Sequence, residues 1–177
     1  YPKKVQNVTN GITPRRWLKQ SNPRLARLLT ERLGSAWEND LEEIERLRWA
    51  ADDPGFRALF RDIKRQNKIA LAEEVDRRTG IDVSVDSMFD VQVKRIHEYK
   101  RQLLNILHVI HLYDRIKRGD TAHWTPRCVL IGGKAAPGYY MAKQIIKLTC
   151  NVARVINNDS DIGDKLKIAF LPNYRVS

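Results

Sequence analysis

Residues 89–104 have the sequence FDVQVKRIHEYKRQLL. Phe89, Val91 and Val93 alternate with polar residues, which predicts an extended strand. Apolar residues at helical spacing follow from Leu103 onward, which predicts a helix. Four cations, Lys and Arg, lie within residues 94–101, between the two elements. The segment therefore places a dense positive charge at a strand-to-helix junction.

Two further apolar runs downstream predict strands. The first covers residues 127–131 and ends at Gly132-Gly133, and the second covers residues 166–171. Helical periodicity separates the three runs, with predicted apolar faces at Leu103, Leu107, Ile110 and Tyr113, and then at Met141, Ile145, Leu148, Val152 and Val155. Strands that alternate with helices favour right-handed crossovers and a parallel sheet. We predict an α/β fold, a Rossmann-like parallel sheet flanked by helices.

The chain before this sheet is predicted to be mostly helical. A capping residue followed by proline marks helix starts, and glycine marks helix ends, at Asn22-Pro23, Gly34, Asp53-Pro54 and Gly80. Residues 37–48 give a further helical run, whereas Ile81, Val83 and Val85 alternate and predict extended chain. We therefore expect a helical lead-in over residues 1–80 and a partial α/β domain over residues 81–177.

Composition and charge narrow the functional class. Hydrophobic residues make up 42% of the chain and charged residues 30%, which is typical of a globular protein. The apolar runs are too short to cross a bilayer, and the N-terminus lacks a secretory pattern. Cys128 and Cys150 show neither metal-ligand spacing nor a disulfide framework, so we expect a reducing, cytoplasmic setting and no metal.

The formal net charge of +11 predicts attraction to anions. One alternative is therefore a basic nucleotide- or nucleic-acid-binding α/β module. Against it, the chain has no basic stripe interleaved with aromatic residues of the kind that stacks bases. Many of the cations recur at helical spacing, as on a solvated helix face.

Ligands of parallel sheets gather at the carboxyl ends of the strands. Residues 94–101 combine cations with a helix N-terminus, which suits a phosphate group. The alternative is a solvated helix start that Glu98 partly neutralises, and for His97 a structural hydrogen bond is favoured over a general base. Residues 132–138 and 172–175 follow the other two strands. They indicate either a ligand cleft or ordinary turns.

Four blocks of the chain resemble the glycogen, starch and maltodextrin phosphorylases. They are residues 9–17 (TNGITPRRW), 89–104 (FDVQVKRIHEYKRQLL), 131–138 (IGGKAAPG) and 173–177 (NYRVS). The resemblance covers essentially the whole chain. It implies two Rossmann-like domains that face each other across a cleft, the GT-B arrangement, with this chain forming the start of the C-terminal domain.

The resemblance also implies an activity. Enzymes of this family cut α-1,4-glucans with inorganic phosphate, retain the configuration and release α-glucose 1-phosphate. They carry pyridoxal phosphate on a lysine and use its phosphate group. The resemblance implies a cytoplasmic homodimer for the full-length enzyme, and we expect no nucleic-acid or membrane partner.

Site residues follow from the same resemblance. Arg95 and Lys100 should contact the substrate phosphate, and Lys94 should reach the cofactor phosphate. The other assigned residues are Asn10 and Tyr99 for the glucosyl unit, Lys134 and Tyr139 for the cleft wall, and Trp17, Tyr174 and Arg175 for the cofactor pocket. Two neighbouring phosphates carry about four negative charges, whose repulsion these cations would offset.

One expected block is missing. The family's cofactor lysine lies in a Gly-Thr-Gly-Asn-Met-Lys-like segment after the NYRVS block, and nothing in this chain matches it. We therefore expect the isolated chain neither to bind pyridoxal phosphate covalently nor to cut glucan. A sheet cut after Leu171 leaves an edge and apolar surface through which the fragment could self-associate.

Overall fold

The first unit of the chain is helical. The computed structural model describes Thr13 and residues 15–174 and divides the chain into two compact units, Tyr1–Asn67 and Lys68–Ser177. The helical elements that lie in the first unit or begin there are a π-helix at Arg15–Gln20, α1 at Pro23–Leu33, 3₁₀-helices at Ala36–Glu38 and Leu41–Ala51, and α2 at Pro54–Thr79. The boundary between the two units lies within α2.

The predicted signals of α1 are confirmed. The Asn22 side chain accepts a hydrogen bond from the backbone N–H of Leu25, and Pro23 is the first helical residue. Gly34 ends the helix with a φ of 78°, a conformation that glycine adopts without strain. The face that α1 buries packs against Trp37, which is fully buried and donates from Nε1 to the Thr30 hydroxyl at 3.1 Å.

Two predictions for the chain before β1 need correction. The helical run over residues 37–48 forms two 3₁₀-helices rather than an α-helix. Residues 81–85 form no strand, although their alternation predicted extended chain. Val83 is buried and Ile81 is half-buried because they cover one face of the sheet, so the alternation reflects packing rather than strand pairing.

The second unit is built on a three-stranded parallel sheet, as predicted. Its strands are β1 (Met88–Val93), β2 (Arg127–Gly133) and β3 (Leu166–Pro172), in the order β1-β2-β3. The connections contain α3 (Gln102–Lys117) and α4 (Tyr140–Asn157), with short 3₁₀-helices at Glu98–Lys100 and Gly163–Lys165. None of the helices among the described residues is both long enough and apolar enough to cross a membrane.

Both faces of the sheet are covered by helices. Val129 and Ile131 of β2 pack with α3 and α4, whereas Cys128 and Leu130 pack with Val75 near the end of α2. Adjacent residues of a strand point to opposite faces, so β2 is buried on both sides. Such burial explains why β2 has a continuous apolar sequence rather than an alternating one.

Most of the predicted buried face of α3 is wrong by about one residue, although Tyr113 packs half-buried against the core. Leu103, Leu107 and Ile110 are exposed, and the residues that enter the core are Gln102, Ile106, Val109, Leu112 and Ile116. Both sets have helical spacing and both are largely apolar. Periodicity therefore located the helix but could not select which of two adjacent apolar stripes meets the sheet.

The predicted face of α4 is partly correct, because Leu148 and Val152 pack half-buried against the core. Met141 and Val155 are exposed, and the buried residues are Ala142, Ile145, Thr149, Ala153 and Ile156. Ile145 is the one predicted member of the face that is fully inside. Small residues such as Ala142 and Ala153 carry a weak hydrophobic signal, yet they permit close packing of the helix on the sheet.

The glycine pair at the end of β2 permits a close approach of the chain. A Cβ atom on Gly133 would lie 2.6 Å from the backbone oxygen of Lys94 and 2.7 Å from Cδ1 of Ile96. A Cβ atom on Gly132 would lie 2.8 Å from Cγ1 of Val93. The glycines therefore make room for the end of β1 and the segment that follows it.

Replacing Gly133 with Ala is expected to lower the free energy of unfolding by about 1–3 kcal/mol, because the added methyl group meets backbone that cannot move freely. Gly138→Ala is the matched control, since no atom of the described residues lies within 4 Å of a Cβ atom there. Urea unfolding of both variants measures the difference. Equal stability of the two variants would contradict the packing argument.

Candidate functional site

The segments that follow the three strands meet at the carboxyl edge of the sheet. The backbone N–H of Lys94 donates to the Gly132 oxygen, and that of Ile96 donates to the Lys134 oxygen, each at 3.0 Å. A Cβ atom on Gly132 would lie 3.7 Å from Cβ of Tyr174, which follows β3. This edge thus brings the basic segment at residues 94–101 beside the predicted cleft residues Lys134 and Tyr174.

Several cations at this edge have no acidic partner. The side chains of Lys94, Arg95 and Lys134 are exposed, and none makes a hydrogen bond or ion pair with another described residue. Lys100 is half-buried, and its Nζ lies 5.5 Å from the ring centroid of Tyr99. Positive charge at the edge is therefore free to meet an anion.

Some cations elsewhere in the same unit have acidic partners, as Lys117 and Arg127 show. Lys117 Nζ lies 2.6 Å from Asp161 and 3.1 Å from Asp159, and the hydrogen bonds to Asp161 and then Asp159 raise its pKa. Arg127 Nη1 lies 2.9 Å from Asp90. The ion pairing of these residues contrasts with the unpaired side chains at the carboxyl edge.

Glu98 is the acidic residue within the basic segment, and it bonds to a tyrosine. The Tyr139 hydroxyl donates to Glu98 Oε2 at 2.7 Å and accepts from the Glu98 backbone N–H at 3.2 Å. The hydrogen bond to the Glu98 carboxylate raises the pKa of Tyr139. The His97 ring packs between neighbours, with its centroid 5.0 Å from that of Tyr139 and 4.1 Å from that of Tyr99.

This contact changes the interpretation of two residues. Glu98 forms no ion pair with a described cation, so it neutralises the segment less directly than its sequence position indicated. Tyr139 was assigned to the cleft wall, and its hydroxyl ties the segment after β1 to the start of α4. His97 has the structural surroundings that the sequence favoured, with Nδ1 3.5 Å from the Tyr139 hydroxyl.

Side-chain amides hold the backbone of the basic segment. Gln102 is fully buried and bonds to the backbone of Arg95 and His97. Gln92 Nε2 donates to the Lys100 oxygen at 3.1 Å, and its own Oε1 accepts from Asn105 at 2.9 Å. These residues were not predicted from the sequence. The available signal was a glutamine at position 102 in register with the buried Ile106 and Val109.

A cleft of about 680 Å³ opens beside the end of β3. Its lining includes the predicted residues Lys134 and Tyr174, and also residues that sequence reasoning had not selected, namely Glu74, Arg78, Leu171, Pro172 and Asn173. Arg78 forms an ion pair with Glu74. Among the described residues, no group of three or more His, Cys, Asp or Glu side chains could hold a metal ion.

The remaining assigned residues are only partly covered by the structure. Tyr99 lies in the basic segment with 69% of its surface exposed, so its hydroxyl is available to a ligand. Trp17 lies in the first unit with 47% of its surface exposed. Asn10 and Arg175 lie outside the described residues.

Comparison with known proteins identifies the family. The sequence model for the carbohydrate phosphorylases matches residues 1–177, the whole of the chain. The chain belongs to the carbohydrate phosphorylase family. This membership supports the phosphorylase interpretation over the nucleic-acid-binding alternative, and the parallel sheet flanked by helices agrees with a partial phosphorylase domain.

Relatives of this phosphorylase chain share about half of its residues. A glycogen phosphorylase of Synechocystis sp. is 55% identical over 176 residues, which are 99% of this chain and 21% of the relative. Glycogen phosphorylase 2 of Dictyostelium discoideum is 56% identical over 100% of this chain and 18% of its own length. The muscle form of glycogen phosphorylase of Homo sapiens is 51% identical over 99% of this chain and 21% of its own length. The chain thus spans about a fifth of the length of these relatives.

The Tyr139–Glu98 contact in the phosphorylase chain is expected to govern the ionisation of that tyrosine. Glu98→Gln should lower the pKa of Tyr139, because it removes the negative charge that holds the hydroxyl proton. Absorbance titration of tyrosinate, with Tyr139→Phe as the reference, measures it. Tyr140→Phe is the matched control, since Tyr140 is 70% exposed.

The same shift has a consequence for stability. A pKa that is raised in the folded state adds stability that is complete below the unfolded pKa of about 10 and is lost as the pH rises through the folded value. The stability difference between the parent and Tyr139→Phe should therefore shrink above about pH 10. A difference that grows with pH would contradict the assigned hydrogen bond.

Proposed function

We propose that the full-length protein is an α-1,4-glucan phosphorylase, and that this chain supplies its phosphate subsite. The enzyme would use inorganic phosphate to cut glycogen, starch or maltodextrin and release α-glucose 1-phosphate. The single observation that carries the proposal is the unpaired charge of Lys94, Arg95 and Lys134 at the carboxyl edge of the sheet. Family membership and the relatives' names support the reaction.

The electrostatics of the edge suit a phosphate dianion. Arginine offers a planar fork of donors and lysine a compact charge, and both favour phosphate oxygens. Their neighbour Glu98 is bonded to Tyr139, which reduces competition for these cations within the chain. Charges that are already in position stabilise a transition state without reorganising during the reaction.

Each residue assigned to the substrate has a proposed role. Arg95 and Lys100 bind the substrate phosphate and hold its oxygens for attack on the sugar. Tyr99 donates a hydrogen bond to the glucosyl unit, and its exposed ring is compatible with that contact. Asn10 is proposed to bind the same sugar, and Lys134 and Tyr139 to form the cleft wall.

The residues at this edge also fit the phosphate group of pyridoxal phosphate. Lys94 is an unpaired cation directly after β1, and Tyr174 lines the cleft beside the end of β3. When bound, the cofactor's phosphate supplies acid–base chemistry to the substrate phosphate. Lys94, Trp17, Tyr174 and Arg175 are proposed to hold the cofactor, and its covalent lysine is not assigned to this chain.

The setting of the enzyme follows from the family resemblance. We propose a cytoplasmic homodimer that acts on α-1,4-glucan and inorganic phosphate. The proposed substrate is the α-1,4-glucan chain that glycogen, starch and maltodextrin share.

Replacing Arg95 with Ala in the full-length protein should raise the KM for phosphate and lower kcat/KM, with a loss of about 2–4 kcal/mol in transition-state stabilisation. Initial rates at varied phosphate and fixed glucan measure the effect. Arg154→Ala, which removes an exposed arginine of α4, is the matched control and should leave the kinetics unchanged. Unaltered phosphate kinetics in Arg95→Ala would remove Arg95 from the proposed site.

The isolated 177-residue chain should show no phosphorolysis, because it spans about a fifth of its relatives and lacks the expected cofactor lysine. Incubation with pyridoxal phosphate, glucan and phosphate, followed by an assay for glucose 1-phosphate, tests this. The full-length protein serves as the positive control. Release of glucose 1-phosphate by the isolated chain would refute the expectation.

A further inference from the structure

The backbone around Ile96 forms hydrogen bonds on both of its sides. On one side, the Ile96 N–H donates to the Lys134 oxygen at 3.0 Å, which continues the β1–β2 pairing beyond the end of the strand. On the other side, the Arg95 oxygen and the His97 N–H have no strand beside them in the described sheet. These two groups are partly buried, and backbone groups that are withdrawn from water need a hydrogen-bond partner.

Gln102 provides that partner through both ends of its amide. Its Nε2 donates to the Arg95 oxygen at 3.2 Å, and its Oε1 accepts from the His97 N–H at 3.4 Å. A side-chain amide carries one acceptor and two donors, so it can replace the peptide group of a neighbouring strand. Gln102 thus holds the two residues on either side of Ile96 at once.

The burial of Gln102 indicates that these bonds determine its identity. It is 0% exposed and lies on the face of α3 that Ile106 and Val109 also bury. A buried polar group costs free energy when it has no hydrogen-bond partner. An apolar residue would therefore suit this position better if the amide had no specific partners. Both polar ends of Gln102 are satisfied, and both bonds end on the basic segment.

We propose that Gln102 is a positioning residue that sets the Arg95 side chain for phosphate binding, an inference that rests on the proposed function. The backbone carbonyl that accepts from Gln102 Nε2 is that of Arg95 itself. The hydrogen bond therefore restrains the backbone that carries the Arg95 guanidinium. A displacement of about 1 Å at a binding group can cost a factor of about 100 in rate. Gln102 touches neither the phosphate nor the sugar in this account and acts only through Arg95 and His97.

The test is Gln102→Met in the full-length protein, because methionine keeps the length and approximate volume but lacks both bonds. The KM for phosphate should rise about tenfold, equivalent to about 1.4 kcal/mol, while the KM for glucan stays within about twofold. Gln144→Met is the matched control, since Gln144 is an exposed glutamine of α4. It should leave both constants unchanged.

The split between the two KM values separates positioning from a general structural role. A purely structural role would lower the melting temperature and the fraction of active enzyme without selective loss of phosphate affinity. Gln102→Met with unchanged phosphate KM overturns the inference, as does an equal rise in both KM values. Should Arg95→Ala also leave phosphate kinetics unchanged, the proposed phosphate-binding function of Arg95 fails together with the inference. If the phosphate KM rises in Arg95→Ala but not in Gln102→Met, that function of Arg95 stands and only the inference about Gln102 fails.

A second measurement needs no variant and covers the case in which Gln102→Met fails to fold. Amide hydrogen exchange at His97 in the unsubstituted full-length protein should be slow, because its N–H is bonded to the buried Gln102 amide. Inorganic phosphate should slow it further by fixing the segment. Exchange at the rate of an open loop, with or without phosphate, overturns the inference.

Discussion

The whole arrangement depends on the close contact between the end of β2 and the segment that leaves β1. Gly133 has no Cβ, so the Lys94 carbonyl and the Ile96 side chain occupy the space beside it. Ile96 then enters the core between the sheet and α3, and its N–H pairs with Lys134. The two residues before Ile96 are consequently held at the carboxyl edge of the sheet, where ligands of parallel α/β folds bind.

The cations at this edge have no acidic partner among the described residues. Glu98, within the basic segment itself, accepts from Tyr139, and no acidic residue among those described pairs with Lys94 or Arg95. A phosphate would therefore meet cations that need not first leave a partner. The buried Gln102 amide gives the same segment a defined backbone, so the site combines free charge with restrained geometry. This combination favours preorganised binding of an anion.

Local sequence signals predicted much of the fold, and long-range packing accounts for the errors. The start of α1 at Asn22-Pro23 and the three parallel strands depend on capping and apolar runs, and both were predicted correctly. Residues 81–85 alternate because they cover the sheet, which no local rule separates from strand pairing. The Tyr139–Glu98 contact joins residues 41 apart, and the role of Gln102 depends on which stripe of α3 is buried. Neither could be predicted without the tertiary structure, although the basic segment itself was identified from the sequence.

The most direct test of the central claim is a crystal structure of the full-length protein grown with inorganic phosphate. The account predicts a phosphate whose oxygens lie at hydrogen-bonding distance, about 3 Å, from the Arg95 guanidinium and the Lys100 amino group at the carboxyl edge of the sheet. A phosphate bound at another place in the active cleft, with the Arg95 side chain extended into solvent, would contradict it.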